Sequence, residues 1–291
     1  MRAQSPPCPW NFTTCAAAAE GGHIDVLQWL HAQDPPCPWD GKTVAAAARS
    51  GHVEILEWLR VQDPPCPCTP KMLGEAAGTA GHLHVLEWIR TVYPAFYGNS
   101  GVYSEAAANG HIHVLEWMRQ DPSSDLSIFK GAAKAGRLDI FEWLRAQNPP
   151  CLWNADVFWL CSDTTNLSVY QWLRAQHPPC PWDEKVTVSA VIYKHWDVLT
   201  WLRSQDPPAP WSNKICTQVA AYANGNYLVR LRAFEPPCPW DESTCRAAVE
   251  HDRLEAFAWM RNQDPPCPCD AATRALASAR FGEDAEMIGN F

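Results

Sequence analysis

Small, apolar and polar positions recur in blocks about 29 residues long. In the copy at 12–39, an Ala-rich stretch (TTCAAAAEG) comes first, with high intrinsic helix propensity. The next stretch, HIDVLQWLHAQ, places Ile24, Val26, Leu27, Trp29 and Leu30 at helical spacing with a broad apolar face. Between the two stands a Gly-His pair, repeated as Gly22-His23, Gly51-His52, Gly81-His82 and Gly110-His111. Glycine suits the left-handed residue that stops a helix. Asp34-Pro35-Pro36 ends the second helix, because proline lacks an amide proton and bars its predecessor from helical geometry. Each block predicts a helix, a tight turn, a second helix and an extended, polyproline-like connector with little or no β structure.

The tryptophans of the second helix set the period. They stand at 29, 58, 88, 117, 143, 172, 201 and 259, and Arg230 occupies the place missing from the series. Nine units run over 11–269, with a partial unit at 270–291; residues 1–10 read as the tail of a truncated unit. This predicts one all-α array, a helix-turn-helix solenoid cut from a longer one. One helix pair cannot bury its apolar face alone, but stacked pairs can. By area, burial of each Trp contributes at most about 4–5 kcal/mol, so this phase is expected to form the interior seam between units.

The pattern T-x-x-A-A-x-x-G-H-x-x-V-L-x-x-L, cleanest in TVAAAARSGHVEILEWLR at 43–60, resembles the second half of the ankyrin repeat. It is similar to the divergent ankyrin repeats of algae, oomycetes and large viruses. The unit departs from ankyrin in its shorter length and in lacking T-P-L-H. The resemblance implies an ankyrin-like solenoid that binds proteins, with the Gly-His histidine used for hydrogen bonds. Several units are irregular: TVYPAFYGNS and DPSSDLSIFK break the connector, and CSDTTNLSVY replaces Ala-Ala and Gly-His.

Composition narrows the function. A formal net charge of −9 argues against a nucleic-acid face, which needs clustered cations. No signal-type segment and no long apolar run appear, so the chain reads as a soluble cytoplasmic protein in a reducing compartment, off the membrane and monomeric. Most of the 13 cysteines fall at two repeat positions, after Pro-Pro or in the first helix, and no C-x-x-C occurs. They read as buried or half-exposed thiols, with no metal and no cofactor. Arg60, Arg90, Arg119, Arg145, Arg174, Arg203 and Arg261 share one phase, and Glu57, Glu87, Glu116 and Glu142 stand three residues before their own Arg. That spacing predicts a solvated, salt-bridged helix face.

No catalytic motif is present, and the expected function is a non-enzymatic scaffold binding an unidentified protein through its inner helices and tips. Two alternatives are a targeting module of a larger enzyme and a cysteine-based metal or redox scaffold. Candidate contacts are positions that vary between units: Arg49, Asn109, Lys134, Tyr193 and Tyr222 before the Gly-His turn, and Lys42 and Lys185 at the start of the first helix. Tyr97, Tyr103, Phe129 and Trp159 join them as aromatics of the irregular middle.

Overall fold

The structure is a computed structural model that describes residues 10–96, 98–119, 124–147, 154–161, 166–222 and 225–282. Among them are nineteen helices and no strand. The contacts divide the chain into two compact units, Met1–Cys180 and Pro181–Phe291, where the sequence predicted one array.

In the first unit the helices pair as α1 (Phe12–Glu20) with α2 (Ile24–His31), α3 (Gly41–Arg49) with α4 (Val53–Arg60), and α5 (Pro70–Ala80) with α6 (Leu83–Val92). There follow α7 (Ser100–Asn109) with α8 (Ile112–Met118), α9 (Asp125–Ala135) with α10 (Leu138–Arg145), and α11 (Asp156–Leu160) with α12 (Leu167–Ala175). The first helices of neighbouring pairs pack side by side in chain order, α1 through α11. Small residues make this possible. Ala19, Ala48, Ala107 and Ala133 are fully buried, and a Cβ at Gly131 would run into the backbone carbonyl of Ser104. The second unit holds α13 (Glu184–Ile192), α14 (Trp196–Ser204), α15 (Asn213–Tyr222), α16 (Gly225–Arg232), α17 (Glu242–Glu250), α18 (Leu254–Arg261) and α19 (Ala271–Phe281).

Local chemistry fixes each helix end. The residue after the connector is an N-cap: Asp40 Oδ1 accepts from the Lys42 amide at 2.9 Å, and Asn99, Asp183, Asp241 and Asp270 do likewise. At the turn, Gly22, Gly51, Gly81, Gly110 and Gly136 take the predicted left-handed geometry, with φ between 68° and 83°. Histidine Nε2 atoms then reach the carbonyls of the preceding turn: His52 to Glu20 at 3.2 Å, His111 to Thr79 at 3.0 Å.

The Pro-Pro-Cys connector is part of the helix end. The Cys37 amide donates to the Leu30 carbonyl at 3.0 Å, and Cys180, Cys238 and Cys267 repeat the bond to Leu173, Leu231 and Met260. Gln33 Nε2 donates to the Trp29 carbonyl at 2.9 Å, as Gln62, Gln147, Gln176, Gln205 and Gln263 do to their own Trp. These bonds satisfy carbonyls that a helix C-terminus leaves open. Six of the described X-Pro bonds, from Asp34-Pro35 to Asp264-Pro265, are cis.

Two further expectations are corrected. The second-helix Trp phase is not the interior seam: Trp29 is 49% exposed and the other seven are half-buried. The core belongs to the aliphatic residues beside them, such as Leu27 and Leu30, Ile55 and Leu59, Val198 and Leu202. The rings lie at the edge, where connector Trp residues meet them, as in Trp39–Trp58 at 5.7 Å and Trp182–Trp201 at 6.2 Å. Nor is the arginine phase throughout a solvated ion-pair face. Arg203 and Arg261 are 8% exposed, and Arg174, Arg203 and Arg261 donate through Nη1 to the carbonyls of Cys180, Ala209 and Cys267. Glu57 and Glu116 instead accept from the indole Nε1 of Trp88 and Trp143.

Candidate functional site

The regular spacing of first helices fails in one place in the second unit. α15 packs closely on α17, whereas α13 and α15 make few close backbone approaches. Their N-terminal ends are tied: Lys214 Nζ lies 3.1 Å from Glu184 Oε1, and the Thr187 hydroxyl donates to the Pro210 carbonyl at 2.7 Å. Beyond that point they enclose a cleft of about 670 Å³. Its walls are Val188, Val191 and Ile192 of α13 and Ile215, Gln218, Val219 and Tyr222 of α15, closed by Lys194 and Tyr227.

Ala19, Ala48, Ala107 and Ala133 stand four places before the residue that follows the left-handed turn; in α13 that place is Val191, and Ile192 follows it. The same place in α17 is Val249, and α17 packs closely on α15. Ile192 is 56% exposed and Tyr222 70%, so large apolar surface stands open at the cleft, with the 50%-exposed Tyr193 next in the chain. The Tyr193 ring lies over His195 at 6.0 Å and 18°, and the Tyr222 ring lies 4.6 Å from His251. A second opening of about 590 Å³, lined by Gly225 and the Asp252–Ala256 turn, shares Tyr222 with the first.

Lys194 occupies the turn position that carries glycine in the first unit, and its φ is 62°. A long side chain in left-handed geometry costs free energy; Asp252 takes the same geometry, with φ 56°, at the α17–α18 turn. Lys194 is exposed and is the one charged residue lining the cleft among those described.

Of the sequence-predicted contacts, Tyr222 lines this cleft and Tyr193 flanks it, between Ile192 and Lys194. Arg49, Asn109, Lys134, Lys42 and Lys185 are exposed, and Trp159 is 53% exposed. They are not gathered into one site: Arg49 lines a separate pocket of about 350 Å³ with Glu75 and Glu105, and the Lys42 ammonium sits 5.2 Å from the Phe12 ring centre. Phe129 is a correction. It is fully buried and packs on Phe141 at 5.3 Å, so it serves the core rather than a partner. Tyr103 is half-buried and donates its hydroxyl to the Met118 carbonyl at 2.8 Å, a tie within its own repeat. Tyr97 lies outside the described residues. Sequence reasoning missed Val188, Val191, Ile192 and Lys194, which stand in a repeat without the Gly of the turn.

The eleven described cysteines are free thiols, nine of them buried. Burial pushes the Cys66 and Cys180 thiols up to about 12. Among the described residues, no group of three His, Cys, Asp or Glu is arranged to hold a metal ion, and no helix is long and apolar enough to cross a membrane. No protein-family model matches the chain, and no curated protein is significantly similar to it.

Proposed function

We propose that the chain is a non-enzymatic recognition scaffold of ankyrin-like repeats that binds another protein through the α13–α15 cleft. The observation that carries this reading is that Ile192 and Tyr222, both exposed, line a largely apolar, helix-walled opening. Clefts of this volume, apolar within and bearing a few polar groups, suit the burial of side chains from a partner, and exposed aromatics are frequent anchors. The net charge of −9 favours a protein over a nucleic acid as that partner.

The test is photo-crosslinking in native lysate, with a benzophenone amino acid at 222 and, as a control, at the 66%-exposed Val61. A discrete protein adduct at 222, absent at 61 and lost when Ile192→Asp is added, is expected. No adduct, or the same adduct from both positions, refutes the reading.

A further inference from the structure

Resting on that reading, the structure assigns a ligand class to the cleft: we infer that it takes an acidic-apolar peptide segment, whose bulky apolar side chains enter between Val191 and Val219 while an adjacent carboxylate meets Lys194.

Three features converge. The volume of about 670 Å³ exceeds what a single side chain fills and matches a short segment offering two or three of them. Five of the nine lining residues are aliphatic, which favours apolar side chains, with Gln218, Tyr222 and Tyr227 as the polar partners at the walls. The one charge on the lining is positive, on a protein whose net charge is negative. A partner carboxylate at the mouth is therefore attracted locally, while acidic segments lacking the apolar residues are repelled by the rest of the chain. Lys194 also stands where the first unit uses glycine. Glycine holds the same turn at Gly22, Gly51, Gly81, Gly110 and Gly136 without left-handed strain. Asp252 takes the same geometry at the α17–α18 turn and pairs with Arg280, 2.8 Å away, whereas Lys194 presents its charge to the cleft.

The experiment is selection of random twelve-residue displayed peptides on the full chain, followed by affinity measurement against variants. Enriched peptides should carry Asp or Glu beside large apolar residues. Lys194→Gly should weaken their binding about tenfold, the scale of one charge-assisted hydrogen bond, with a melting temperature equal to or above that of the parent. Lys194→Glu should turn the selection toward Lys- and Arg-containing peptides. Peptides that depend on Tyr222 (lost in Tyr222→Ala) but carry no acid and ignore Lys194→Gly would overturn this inference and leave the cleft reading standing. Peptides indifferent to Tyr222→Ala, or no enrichment at all, would overturn both.

Discussion

The Arg203 guanidinium lies 4.0 Å from the centre of the Trp211 ring, while its Nη1 donates to the Ala209 carbonyl at 2.6 Å. Arg232 repeats both contacts, with Trp240 at 4.0 Å and the Cys238 carbonyl at 2.8 Å. One planar cation thus ties the end of a second helix to the connector that follows it. Lysine offers a point charge and no flat face. Arg203→Lys should cost about 1–2 kcal/mol and Arg203→Ala about 2–3 kcal/mol, the sum of a desolvated cation–π contact and a charged hydrogen bond. Urea unfolding midpoints check the order; an Arg203→Lys variant as stable as the parent would show the stack to be idle.

Leu173 is fully buried and its neighbour Trp172 is half-buried, touching Phe141 at 5.5 Å. Leu173→Ala should therefore cost about 3–4 kcal/mol, whereas Trp172→Ala, on a ring that keeps part of its water contact, should cost about 1–2 kcal/mol. Thermal unfolding of the two variants decides between an aliphatic core and an indole core.

Gly131 faces the Ser104 carbonyl across the α7–α9 contact, and a Cβ there has no space. Gly131→Ala should destabilise by about 2–3 kcal/mol, because backbone must move to admit it. At Gly225 nothing lies within 4 Å of an added Cβ. Gly225→Ala should be neutral or stabilising by up to about 1 kcal/mol. Calorimetry on both separates close packing from helix propensity.

His82 is held below its ordinary value of 6.5, first by burial and then by His84, whose ring lies 5.4 Å away. Protonation is thus harder in the folded chain than in the unfolded one. The stability it contributes is complete above pH 6.5 and is lost as pH falls through the lowered folded-state value. Denaturant titrations at pH 7.5 and at pH 5 should show a smaller acid loss in His82→Gln than in the parent; an identical loss would exclude this histidine as a source.

Burial raises the Cys15 and Cys66 thiols to about 12, so neither is a thiolate near neutral pH. Iodoacetamide at pH 8 should modify them only after unfolding, read residue by residue by mass spectrometry. Rapid native labelling of Cys66 would contradict its position beneath the Asp40 carbonyl, 3.2 Å from its sulfur.

Periodicity alone determined that the chain is a series of helix pairs, where each turn falls, and which glycines adopt left-handed geometry, because these follow from local propensity and from the backbone freedom of single residues. The same pattern misplaced the Trp rings in the core and Phe129 on the surface, and it offered Arg203 to solvent. Burial depends on how far apart two helices sit, and that distance is set by pairs of residues remote in sequence, such as Gly131 with Ser104. The cleft has the same origin. Tyr222 was legible as a variable aromatic, but the opening beside it depends on how α13 and α15 sit relative to each other in three dimensions, which no one-dimensional period encodes.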